Sequence, residues 1–127
     1  MTYVAQDRIE IPIGSQFRKV WPLTDADTGG TADMTGWSAR CEVREYYGGP
    51  LITNFHADRV GHYGWPGVIT FDGVGNVILT LDATVTATLS PIDNAVFDLE
   101  LLAPVTGKPW RVVQGKAFIT PEVTTDA

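Results

Sequence analysis

The chain has 127 residues, with 9 Lys and Arg against 15 Asp and Glu, a formal net charge of -6. That balance argues against nucleic acid and against an anionic membrane surface as partners, because neutralising phosphates needs clustered cations. A single cysteine, Cys41, excludes an internal disulfide and with it a disulfide-stapled scaffold.

The length suits one domain with a real core, and a hydrophobic fraction of 44% with 19% charged residues is ordinary for a folded protein. No apolar run is long enough to cross a bilayer. The start, Met1-Thr-Tyr-Val-Ala-Gln-Asp-Arg8, lacks the basic and apolar regions of a signal peptide. The expectation is a chain made in a cytoplasm without the usual export signal.

In chain order, residues 1–7 are expected to form a loose arm, residues 8–121 a domain and residues 122–127 a loose tail. Ile9, Ile11 and Ile13 alternate with Arg8, Glu10 and Pro12, which predicts a strand. Pro12 cannot donate to a ladder and places that strand at an edge. Gln16 to Leu23 reads as a second strand with Phe17, Trp21 and Leu23 on one side. Lys19 interrupts that face, and Pro22 again marks an edge or a bend. Thr24 to Asp33 is loop, rich in Asp and Gly. Asp25, Asp27 and Gly30 have a trace of a calcium loop, but the twelfth slot, counted from Asp25, holds Gly36 instead of Glu.

Trp37 to Arg44 alternates throughout: Trp37, Ala39, Cys41 and Val43 against Ser38, Arg40, Glu42 and Arg44. That is the period of a half-buried strand. Cys41 falls on the apolar side and reads as a small buried hydrophobe. Glu45 to Pro50 is a turn, and Leu51 to Phe55 a short strand. His56 to Gly67 reads as a Gly-rich aromatic loop holding His56, His62, Tyr63 and Trp65. Its two histidines fall short of a zinc ligand set. Its aromatics suit either core cover or an interface. Val68 to Phe71 and Val77 to Leu81 form a predicted hairpin across Asp72-Gly-Val-Gly-Asn76. The Gly-x-Gly there lacks the third Gly and the helix of a dinucleotide site. Asp82 to Leu89 is the one candidate helix, about two turns with Asp82 as N-cap. Ala95, Phe97, Leu99 and Leu101 share an apolar face, with Asp98 and Glu100 outward. Trp110 to Thr120 reads as a long strand bent by a bulge near Gly115.

Two amphipathic strands far apart in sequence each need cover for one face, and two packed sheets supply it. The prediction is therefore an all-β fold, a two-sheet antiparallel β-sandwich with one short helix or 3-10 turn near 82–89. No triad is supplied by two histidines in one loop. Asp98 and Glu100 point the same way instead of converging on a cleft. No enzyme is expected, and no cofactor or metal.

Several short pieces occur in a particular order. They are Glu10-Ile-Pro-Ile-Gly14, Met34-Thr-Gly-Trp-Ser-Ala-Arg40, Asp82-Ala-Thr-Val-Thr-Ala-Thr-Leu89, Val96-Phe-Asp-Leu-Glu-Leu101, Arg111-Val-Val-Gln-Gly-Lys116 and Thr120-Pro-Glu-Val-Thr124. Over most of residues 8–124 this order resembles the small immunoglobulin-like β-sandwich of minor tail and baseplate proteins of tailed bacteriophages. The N-terminal module of some upper baseplate proteins is one such sandwich. Family members often carry Tyr where Phe97 stands, and the expectation from the Pro-Glu-Val-Thr end is an isolated module with no fibre domain behind it. The resemblance implies a non-enzymatic virion protein, an adaptor or minor tail protein contacting other virion proteins, with no catalytic residues. Capsid decoration is the alternative. A carbohydrate-binding module using Trp21, Trp65 and Trp110 is the second. Interface roles are expected for Tyr63, Trp65 and Trp110, and a homo-oligomer is compatible.

Overall fold

Alternation dictates which side of each strand leaves water, and the strands follow it. A computed structural model describes residues 5–25, 28–57 and 65–122. The elements are β1 (Ala5–Pro12), β2 (Phe17–Pro22), β3 (Ser38–Arg44), β4 (Leu51–His56), β5 (Gly67–Phe71), β6 (Asn76–Leu81), α1 (Ala83–Thr86), β7 (Ile92–Leu102) and β8 (Pro109–Thr120). They lie side by side in the order β1-β8-β7-β3-β4-β5-β6-β2, one eight-stranded sheet nearly closed into a barrel.

The expected all-β class holds, but the arrangement differs in two respects. The two amphipathic strands are not on opposite sheets. β3 and β7 are neighbours, with Ala39 opposite Leu101, Cys41 opposite Leu99 and Val43 opposite Phe97. Their shared apolar face is covered because the sheet curls back on itself. Alternation reports that one face is buried, and it does not distinguish a second sheet from the far wall of the same one. The sheet is also mixed. β1 runs parallel to β8 over eight residue pairs, and β4 meets β5 in parallel through Phe55–Gly67 and His56–Val68. Both parallel pairs join strands separated by other elements or by a long connection, as parallel pairing requires.

The two prolines sit where their missing N–H groups place them. Pro12 is in β1 and Pro22 in β2, and these strands are the two ends of the sheet order. β1 begins at Ala5, inside the stretch expected to be a loose arm. The bulge in β8 also moves. Leu99 faces Val113 while Glu100 faces Arg111, so the extra residue is Val112, not Gly115. Val112 and Val113 are consecutive and both buried, because the side-chain phase switches there. Gly115 has a different reason: a Cβ on it would collide with the Asp7 carbonyl oxygen of β1.

The core is filled from all sides. Phe97, Leu99 and Leu101 of β7 meet Phe55 of β4, Leu79 and Leu81 of β6, and Ile9 and Ile11 of β1, all almost wholly buried. Each such side chain contributes about 1.5–3 kcal/mol by leaving water. The rings set the spacing across the barrel. Trp21 stacks on Phe97 at 5.9 Å between centroids and 13° between planes, and Phe17 meets Phe55 at 5.9 Å and 52°. Cys41 is buried among them, and burial pushes its thiol well above its usual range, with Asp98 and Glu42 adding to the effect.

The predicted hairpin and helix both form. Asp72 holds the β5–β6 turn, accepting from the Val74 N–H at 2.9 Å, the Asn76 N–H at 3.1 Å and the Asn76 amide at 2.7 Å. α1 is one turn following Asp82, whose backbone is extended as an N-cap requires but whose side chain makes no capping bond. Its use is at the barrel end. The buried Thr86 hydroxyl donates to the Ser15 carbonyl at 2.7 Å and accepts from the Gly14 N–H at 3.1 Å, pinning the β1–β2 turn.

Candidate functional site

The predicted aromatics separate. Trp21 is 7% exposed and belongs to the core, which removes it from any sugar platform. Trp65 is half-buried just before β5, edge-on to His56 at 5.2 Å. His56 is not in a loop: it ends β4 and is 2% exposed. Trp110 is half-buried at the start of β8, opposite Leu101, with the Lys108 ammonium 5.4 Å from its ring centre. Tyr63 and His62 lie outside the described residues. Trp65 and Trp110 are thus largely covered by the barrel, with only a minor part of each exposed. Among the described residues no group of three or more His, Cys, Asp or Glu is placed to hold a metal ion.

A stronger surface lies on the β3–β4 turn. Tyr46 is 62% exposed, Tyr47 67% and Leu51 45%. These are large apolar groups that the fold leaves outside. The turn that carries them is held from within. The Glu45 N–H donates to the Pro50 carbonyl at 3.0 Å, the Gly49 N–H donates to the Tyr46 carbonyl at 2.8 Å, and the Arg44 guanidinium donates to the Gly49 carbonyl at 2.7 Å. The Tyr46 ring lies over Gly49 so closely that a Cβ there would be 2.6 Å from it. An aromatic group already ordered before it meets a partner loses little entropy on binding, which is the property of an interface anchor. Two grooves flank the turn. One, of about 150 Å³, runs past Tyr47, Glu42, Val96 and Asp98; the other, of about 270 Å³, lies between Leu51, Ile52, Leu89, Pro91 and Ile92.

Tyr46 and Tyr47 were not among the expected interface residues. The sequence does carry their signal: two adjacent aromatics in a six-residue turn followed by Gly-Gly-Pro have no strand face on which both can be buried.

Beside this turn, the outer face of β3, β7 and β8 is a woven charge layer. Arg40 pairs with Glu100 at 2.8 Å, Arg44 with Glu42 at 3.0 Å, and Arg111 with Asp98 at 3.6 Å. Glu42 stands directly opposite Asp98 in the ladder, a like-charge pair. Partial burial, reinforced by Glu100 and Glu42, raises the Asp98 carboxyl above its ordinary value; Arg111 and Arg40 oppose the shift. The arrangement is an ion-pair layer in which Glu42 and Asp98 share the smaller groove beside Tyr47.

The two sheet ends, β1 and β2, face each other without ladder pairing among the described residues. Side chains close this seam. The Trp21 indole N–H donates to the Asp7 carboxylate at 2.8 Å, and the Lys19 ammonium lies 3.3 Å from the same oxygen. That explains the lysine on the apolar face of β2. It meets an inward-leaning aspartate at the seam. The indole hydrogen bond, more than Lys19 and the Arg8 N–H, holds the Asp7 carboxyl below its ordinary value, against a desolvation effect. Compared with known proteins, the chain matches no protein-family model and no curated sequence.

Proposed function

We propose that this chain is a non-enzymatic structural protein of a tailed-phage virion, a minor tail or adaptor protein of the tail or baseplate that works through protein–protein contacts. The observation that carries the contact role is the pre-ordered, exposed Tyr46, Tyr47 and Leu51 turn. The virion assignment is supported by the order of sequence pieces from Glu10-Ile-Pro-Ile-Gly14 to Thr120-Pro-Glu-Val-Thr124. The finer, immunoglobulin-like description belongs to the same proposal. Support for it comes from the two-pair β4–β5 junction and the absence of β1–β2 ladder pairing among the described residues, which divide the strand order into a five-stranded and a three-stranded run.

The test is incorporation. A tagged chain supplied during phage growth is expected in purified particles, with gold-labelled antibody at the tail; label over the head would replace the tail reading with capsid decoration. Absence from particles would overturn the virion reading. The Tyr46→Ser/Tyr47→Ser chain should keep its unfolding free energy within about 0.5 kcal/mol yet incorporate roughly tenfold less or worse. Equal incorporation would remove the turn from the interface.

A further inference from the structure

We propose that β1 is an exchangeable strand: the edge of β8 that it occupies accepts β1 of a second copy of this chain in the same parallel register. Both the acceptor and its occupant are already in view within one molecule. β1 lies on β8 from Ala5 opposite Val113 to Pro12 opposite Thr120, and among the described residues its ladder goes to β8 only. A replacement β1 from another copy would restore each of those hydrogen bonds, the burial of Ile9 and Ile11, and the stacking of the Arg8 guanidinium 4.4 Å from the Phe118 ring centre.

The ladder and the burial hold β1 in its own barrel as well, but exchange remakes them, and its further ties are small by comparison. Across the seam stand the Asp7 contacts with Trp21 and Lys19, above a groove of about 340 Å³ lined by Arg8, Ile9, Glu10, Phe17, Arg18 and Lys19. At its end stands the turn latched by Thr86 through Gly14 and Ser15. A strand bonded on one side and followed by a short turn swings out as a unit, and reciprocal exchange between copies needs no new surface. Intramolecular closure wins when the chain is dilute; exchange wins when copies are crowded at an assembly site. The inference does not depend on which assembly that is.

The experiment mixes two single variants, Gln6→Cys and Gln114→Cys. These positions are partners in the β1–β8 register and face outward, and Cys41 stays buried in both. The two chains are unfolded together, refolded at high concentration and oxidised. A disulfide joining one chain to the other forms efficiently only when β1 of the first lies on β8 of the second. We expect about tenfold more joined chain than in a control pairing Gln6→Cys with Thr70→Cys on β5, because only registered positions come within disulfide reach. Light scattering on the unmodified chain, refolded in the same way, should show a species of twice the monomer mass. Cross-linking no higher than the control overturns the proposal, whether the chain is then a monomer or a dimer.

Discussion

The β3–β7–β8 wall and the β1–β2 seam close the same barrel by different means. The wall is held by long ladders, interrupted by the bulge at Val112 and a second shift between Ile92 and Ala95, and its buried side is wholly apolar from Ala39 through Leu101. The seam is held by side chains, with a carboxylate, an ammonium and an indole N–H meeting where a ladder would otherwise run. Each region carries one displaced aspartate, and the two are displaced in opposite directions. Asp7 is stabilised as an anion by donors aimed at it. Asp98 is made uncomfortable as an anion by burial and by carboxylates beside it. Charge closes the seam, whereas on the wall it is arranged over a structure that stands without it.

Breaking the wall should cost most. Phe97→Ala removes a buried ring and its stacking on Trp21, and a loss of about 3–5 kcal/mol is expected from chemical denaturation. If the loss were below 1 kcal/mol, the wall would not be the stability centre. Next comes the joint between the two regions. Gly115→Ala pushes a methyl group against the Asp7 carbonyl oxygen of β1. The expected cost is about 3 kcal/mol, the upper end for overpacking. Amide exchange should speed up along β1 while β3 and β7 stay protected.

The seam itself is worth less. Asp7→Asn loses the Lys19 partner and weakens the acceptor for Trp21, at an expected cost of about 1 kcal/mol. Its pH signature follows from the sign of the shift. A carboxyl depressed in the folded state contributes stability at pH above the ordinary value of 3.8, and that stability is lost as pH falls through the depressed one. Asp7→Asn should therefore flatten part of the acid limb of the stability profile.

The smallest effect tests the contrast most directly. Asp98 is raised above 3.8, so between that value and its folded one the native state holds more protons than the unfolded chain. Its contribution therefore makes stability fall as pH rises through that window. Asp98→Asn is expected to be neutral or to gain up to about 0.5 kcal/mol at neutral pH, and to remove that slope. A loss of stability there would mean that the weak Arg111 contact outweighs the crowding by Glu42 and Glu100.

Much of this was legible residue by residue. Alternation from Trp37 to Val43 and from Ala95 to Leu101 reported which faces are buried. The missing N–H groups of Pro12 and Pro22 reported both sheet edges, and Asp72 with its glycines reported the tight hairpin. What the residues did not report was connectivity across the sheet. Period two is the same for a parallel neighbour as for an antiparallel one, so β1 on β8 left no local trace. The bulge was misplaced because Gly115 looks like a bulge glycine, while the real phase slip sits in Val112-Val113, two residues that look like ordinary strand. For the candidate site, Trp65 and Trp110 drew notice by size. Tyr46 and Tyr47 are distinguished by having nowhere to be buried, which depends on the turn's tertiary surroundings as well as on residue type.

Parallel pairing of β1 with β8 has a mechanical consequence. Ala5 lies beside Val113 and Pro12 beside Thr120, so tension applied through Ala5 and Thr120 pulls the two strands along their length in opposite directions. All eight registered pairs then bear load together, instead of parting one at a time as they would if peeled from one end. Under axial pull the barrel should resist as a shear clamp, and under sideways pull on β1 it should yield early.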